Sequence, residues 1–245
     1  GSEHIYLCRD LSQVQQYLPL MPAGDILAEE YLPGDEYSCD FIIREDSVKV
    51  LRCTKKIIDN SFGFGTTLAY ILYNRQLPGL ESALFSAAQA LGLGSDTIIM
   101  TDFIFEDNQI YFLEMTPRPG GDCLPDLVQA GLGYDVLGLA LDYALDQDIA
   151  VSDYTQGQKT AAVRIFAENA GVLKKLNFDV LAKDVRVKKS FANYQKDHKI
   201  LLPPQDYDSR KLGHVVFIPD EDKPVELQCR EILSKVEVVI DDQIS

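Results

Sequence analysis

The stretch from Met100 to Gly121, MTDFIFEDNQIYFLEMTPRPGG, constrains this chain more than any other. Two apolar runs flank the polar turn Glu106 to Gln109, which is hairpin chemistry. With Asn108 at the tip, Asp102 falls opposite Glu114, and Ile98, Met100, Ile104, Ile110 and Phe112 are expected to share their face. Like charges directly opposite on paired strands are destabilising, and more so where water is excluded. A divalent cation removes that penalty, and carboxylate oxygens are ligands that Mg²⁺ prefers. The opposite reading, two solvated carboxylates on the outer face of a hairpin, is the usual fate of acidic residues. Arg118, held between Pro117 and Pro119 in an extended segment just beyond, favours a built site.

Charge narrows the partners. With 23 basic against 38 acidic residues, the net charge of -15 repels nucleic acid and anionic lipid. No apolar run approaches the length needed to span a bilayer, and the N-terminus lacks a signal-peptide pattern, so a cytoplasmic location is the default expectation. Five cysteines, widely spaced and without a CxxC pair, indicate neither a disulfide framework nor a zinc site. They are expected to be reduced and mostly buried. His4, His198 and His214 lie far apart, and no GxSxG turn supports a hydrolase triad.

Along the chain, apolar spacing predicts helices over Leu11 to Leu18, Leu80 to Leu91, Leu124 to Ala130 and Val136 to Leu145. Strands are expected at Ile26 to Leu32, Tyr37 to Ile43 and Val48 to Cys53, the last two joined by the turn Arg44-Glu45-Asp46-Ser47. Residues Asn60 to Thr67 read as a loop. Its Gly63-Phe64-Gly65-Thr66-Thr67 could cradle an anion, but it lacks a Walker lysine and a following helix. Beyond the polar segment Asp146 to Gln158, short β-branched runs predict a small β-rich unit, with a boundary near residue 155. The expected division is 1–155 and 156–245.

Two separate motifs resemble the ATP-grasp superfamily of carboxylate–amine ligases and biotin carboxylase-type enzymes. The first is Glu29-Glu30-Tyr31-Leu32-Pro33-Gly34-Asp35-Glu36-Tyr37-Ser38-Cys39-Asp40, similar to the family's hinge strand, with Glu36 seven positions after Glu29. The second is the Asp102 to Gly121 hairpin, which resembles the family's metal motif. The resemblance covers roughly residues 20–150, and the segments around Arg164 and Lys211 to Val215 are loosely similar to a C-terminal subdomain found after ATP-grasp. It implies an α+β fold: an ATP-grasp-like antiparallel sheet with flanking helices, followed by a small β-rich subdomain.

The resemblance also implies roles. Glu29 would accept from the adenine amino group, the backbone of Glu30 and Leu32 would read the ring edge, and Glu36 would bind ribose hydroxyls. Asp102 and Glu114 would bind Mg²⁺, and Arg118 would hold the transferred phosphoryl group. Lys55 or Lys56 would contact phosphate, with Lys55 the first choice. Thr116 stands where the family usually has asparagine, a hydroxyl in place of a metal ligand. The upstream subdomain with its lysine and glycine-rich lid has no match here, so the chain is expected to be part of a longer enzyme, inactive when isolated. The activity implied is an ATP- and Mg²⁺-dependent ligase that activates a small-molecule carboxylate as an acyl phosphate for attack by an amine. The alternatives are a non-catalytic nucleotide-binding scaffold, or carbamoyl-phosphate or carboxylase chemistry on bicarbonate. A homo-oligomer is compatible with the sequence, which holds no signal either way.

Overall fold

A computed structural model describes residues 4–44, 47–62, 65–94, 97–147, 150–203 and 205–241. Chain order runs α1 (Leu11–Tyr17), β1 (Asp35–Arg44), β2 (Ser47–Ile58), β3 (Thr67–Leu72), α2 (Leu80–Ala90), β4 (Ile99–Glu106), β5 (Gln109–Thr116), α3 (Leu124–Leu132) and α4 (Val136–Ala144). It continues β6 (Ala161–Phe166), β7 (Gly171–Asn177), β8 (Val187–Ala192), β9 (Lys199–Ile200), β10 (Lys211–Phe217), α5 (Val225–Ser234) and β11 (Glu237–Asp241). Eight strands form one sheet in the order β5-β4-β1-β2-β3-β6-β10-β8, and β11-β7-β9 form a second. Every strand pairing among the described residues is antiparallel, in keeping with the expected α+β class. The large sheet is continuous across residue 155 through the β3–β6 pairing, and the three-stranded sheet lies wholly in the later segment.

The four predicted helices form, α1 capped by the Asp10 carboxylate accepting from the Gln13 amide. Helix α5 and strands β3, β7 and β9 go beyond the expected elements. In α5 the apolar stripe of Val225, Cys229 and Ile232 is narrow and set among charged and polar residues, which weakens its periodic signal. The expected strand at Ile26 to Leu32 is absent. Residues 25–33 have no regular structure, because β1, which they lead into, already has β2 and β4 on its two sides. Ile26, Leu27 and Tyr31 are exposed as a result. Gly34 makes the entry to β1, at φ +128°, where a Cβ would lie 2.7 Å from Glu106 Oε2 and 2.8 Å from Ile104 Cγ2.

The β1–β2 and β4–β5 hairpins each carry a β-bulge, and each bulge decides a charged pairing. In β4–β5 the turn is Asp107-Asn108, both at positive φ, which suits a two-residue hairpin loop. That register would set Asp102 against Leu113, but the ladder shifts after Phe103↔Phe112, Leu113 bulges out, and Asp102 meets Glu114. In β1–β2, Phe41↔Val50 gives way to Asp40↔Arg52, with Leu51 as the extra residue. The turn residues Glu45 and Asp46 lie outside the described residues.

The bulge at Leu113 also corrects the expected face. A one-residue shift reverses which side of the sheet each side chain points to, so Ile110 and Phe112 join Ile99, Phe103 and Phe105 in a core cluster with α2. Ile98, Met100, Asp102 and Ile104 face the other way. One side of the sheet is therefore apolar, packed on α2 and α5. The other carries a band of polar and charged groups partly covered by α3 and α4. Among the described residues no helix is long and apolar enough to cross a membrane. The cysteines are free; Cys39, Cys53, Cys123 and Cys229 are buried and Cys8 is half-buried. Burial pushes the thiols of Cys53 and Cys229 up to about 12, which leaves them protonated and unreactive.

Candidate functional site

The polar band begins at the β4–β5 edge. Asp102 is paired with Glu114 on one side and Ser38 on the other, and Ser38 with Thr54, so a row of four polar side chains crosses four strands. Thr101 on the opposite face anchors this edge, its hydroxyl donating to the Glu114 carbonyl at 2.7 Å. Glu114 is exposed. Two positions on, the Thr116 hydroxyl is buried with no hydrogen-bond partner among the described residues.

Lys56 reaches this row from β2. Its Nζ lies 2.5 Å from Asp102 Oδ2 and 3.5 Å from Glu36 Oε2, with the lysine side chain 7% exposed. The sequence alone favours Lys55, but alternation along β2 sends Lys55 to the opposite face, where it pairs with Asp35 at 2.6 Å. Of the two lysines, Lys56 is the one beside the carboxylates.

Next to this half-buried corner lies a fully buried one. Asp40 and Arg52, both with side chains at 0% exposure, form a bidentate pair at 2.7 and 3.0 Å. Arg52 also donates to the Ser38 carbonyl and hydroxyl and to the Thr54 hydroxyl. Burial opposes its charge, yet Asp40 outweighs that cost and raises the Arg52 pKa further. Asp40 Oδ1 accepts in addition from the Gly120 amide at 3.0 Å, which ties the loop after β5 to the sheet. Only glycine fits there, since a Cβ would sit 2.5 Å from Arg52 Nη2.

That tether fixes the loop that carries Arg118. The Arg118 side chain is exposed and donates to the Pro119 carbonyl at 3.0 Å. Further along the same face Arg164 of β6 pairs with Asp122 at 2.9 Å and donates to the Thr67 carbonyl at 2.8 Å. Sequence reasoning singles out neither Lys56 as first choice nor the Asp40–Arg52 pair. The available signal is an acidic and a basic residue embedded in facing apolar runs.

The residues assigned to the base and ribose are less tightly gathered. Glu29 and Glu30 are exposed and Leu32 is half-buried, all in the irregular segment before β1. Glu36 lies at the start of β1, half-buried, and shares Lys56 with Asp102. Gly63 and Phe64 of the glycine-rich loop lie outside the described residues.

The donor set suits magnesium in chemistry. Asp102, Glu114 and the unpartnered Thr116 hydroxyl all offer oxygen. Among the described residues no three His, Cys, Asp or Glu side chains are gathered closely enough to hold a metal. Remaining positions would fall to water and phosphate, which is how Mg²⁺ is usually held.

Residues 1–122 match the family model described as an ATP-grasp domain. Among solved structures the chain is similar to an L-amino acid ligase from Bacillus licheniformis, with a TM-score of 0.71 and 19% identity, covering 86% of this chain and 53% of that one. It is also similar to phosphoribosylglycinamide synthetase from Anaerococcus prevotii, with a TM-score of 0.65 and 16% identity, covering 96% of this chain and 69% of that one. A third is the biotin carboxylase domain of 2-oxoglutarate carboxylase from Hydrogenobacter thermophilus, in complex with MgADP and bicarbonate. There the TM-score is 0.58 and the identity 15%, with 84% of this chain and 46% of that one covered. The chain thus spans about half the length of the ligase and of the carboxylase domain. No curated protein matches it in sequence. At these identities the likeness is one of fold.

Proposed function

The chain belongs to the ATP-grasp superfamily by its fold, and from that premise we propose that it supplies part of the nucleotide and metal site of an ATP-dependent enzyme that activates a carboxyl group by phosphorylation. The observation that carries this reading is Lys56 held between Asp102 and Glu36 on one sheet face, with Glu114 opposite Asp102 in the ladder and the Thr116 hydroxyl without a partner among the described residues. Asp102, Glu114 and Thr116 are the residues to hold Mg²⁺, which when bound would neutralise phosphate charge. Glu36 is suited to ribose hydroxyls, Glu29, Glu30 and Leu32 to the base, and Lys56 to a phosphate oxygen. In the transfer, a carboxyl oxygen bonds to the γ-phosphorus while the bond to ADP breaks. A nucleophile then attacks the acyl carbon and phosphate leaves. Arg118, exposed on a loop fixed through Gly120, would hold the phosphoryl oxygens as a guanidinium fork.

Two substrate classes are the ones to test. An amine nucleophile corresponds to the ligases, and bicarbonate as the phosphorylated acid corresponds to the carboxylase domain, whose structure holds that anion. Titration calorimetry of the full-length protein with ATP, with and without Mg²⁺, is the first test. Binding that requires Mg²⁺ is expected, and metal-independent binding would point to a nucleotide-binding scaffold without chemistry. ADP release should then be assayed with bicarbonate and with carboxylate–amine pairs. Asp102→Ala and Glu114→Ala should abolish it, and turnover retained in either variant would overturn the assignment.

A further inference from the structure

Lys56 occupies the position in which the carboxylates of this face otherwise call for a different cation. It touches both Asp102 and Glu36, it is almost wholly covered, and its only ion-pair partners among the described residues are those two. The guanidinium of Arg52 next door is saturated, but an ammonium on a four-carbon stem is a mobile point charge. We infer that Lys56 is an internal counter-ion which a divalent cation must displace from Asp102, so that metal binds tightly only together with a polyphosphate that takes up the released ammonium. This rests on the reading of Asp102 as a metal ligand.

Metal and ammonium compete for one oxygen and for one patch of negative charge. Asp102 Oδ2 is engaged at 2.5 Å, so a cation bonding there meets the ammonium at close range, where the two side chains are 7% and 17% exposed and screening by water is weak. Metal alone therefore binds against repulsion. A triphosphate reverses the sign by giving Lys56 another anion, and since coupling is reciprocal, metal strengthens triphosphate binding by the same factor. Glu36, at 3.5 Å, is the side chain toward which the ammonium can relax without leaving the site.

The test is a Mn²⁺ titration of the full-length protein, followed by water-proton relaxation, with no nucleotide and then with ATP. In the wild type Mn²⁺ alone should bind weakly and ATP should tighten it roughly tenfold or more, within the usual range of coupling. Lys56→Met, or Lys56→Gln should the first variant fold poorly, should bind Mn²⁺ alone about tenfold more tightly and lose most of the ATP effect. Lys49→Met removes the same charge at a site bonded to the Val151 carbonyl and should leave Mn²⁺ affinity unchanged. Unchanged metal affinity in a folded Lys56 variant, or an equal gain in Lys49→Met, overturns the inference. If ATP does not bind the wild type with any metal, the ligase reading falls, while a gain of Mn²⁺ binding in Lys56→Met would still establish the counter-ion.

Discussion

Two ion pairs lie side by side on one face of the large sheet, and they are built for opposite purposes. Arg52 uses all five of its N–H donors, on Asp40, on the Ser38 carbonyl and hydroxyl, and on the Thr54 hydroxyl, at zero exposure. Asp40 in turn holds the Gly120 amide. Lys56 instead makes two carboxylate contacts, one of them long, beside partners that retain 17% and 25% exposure. A saturated pair has no spare capacity and serves as framework. An unsaturated pair at the edge of solvent can exchange one partner for another, which is what a ligand site requires.

The sharpest way to break this contrast is at the framework. Asp40→Ala or Arg52→Ala leaves an uncompensated buried charge and should cost about 3–5 kcal/mol in chemical denaturation. The double replacement Asp40→Leu with Arg52→Met should recover much of that loss, since no charge is then stranded. A single variant that costs under about 1 kcal/mol would mean the pair is not the framework described. Gly120→Ala comes next. Its methyl would collide with Arg52 Nη2 and with Leu124, and an overpacking cost of about 1–3 kcal/mol is expected, together with a displaced Arg118 loop. Wild-type stability in this variant would show that the tether yields freely.

Lys56→Met sharpens the other side. Because Asp102 and Glu36 can recover water, its stability cost should be about 1 kcal/mol or less, well below that of the Arg52 variant. A loss as large as that of Arg52→Ala would erase the distinction. The smallest effect is expected at a third, more open network in the later segment. There Glu231 is held down to about 2, by Lys235 first and then by Arg186. A lowered carboxyl pKa contributes stability above the unfolded value of 4.5, which is lost as pH falls toward 2. Glu231→Gln should therefore flatten acid unfolding slightly within that window, and an unaltered profile would show the network to be neutral.

Local pattern carries the hairpins and the helices because both are read from near neighbours: the polar stretch Glu106 to Gln109 for a turn, and apolar spacing for α2, α3 and α4. It carries α5 poorly, where charges interrupt the stripe, and it fails at Ile26 to Leu32, where an apolar run finds no strand edge to join. For the site, Asp102 and Glu114 are expected to face each other from a tip at Asn108, but the turn is Asp107-Asn108 and the pairing arises instead through the Leu113 bulge. The choice between Lys55 and Lys56 is not legible, because neighbours on a strand point to opposite faces and register alone tells which face is which.

What the residues determined by themselves was the set of parts: two hairpins, a stock of acidic side chains near their ends, glycines where backbone approaches closely, and cysteines kept as small apolar groups. Which of those parts met was decided by the folded sheet. Single extra residues at Leu51 and Leu113 moved Asp40 from a leucine to Arg52 and Asp102 from a leucine to Glu114, and turned Ile110 and Phe112 to the other side. A bulge costs little locally and takes its place from the packing of both faces at once, so no window of sequence contains the information that places it.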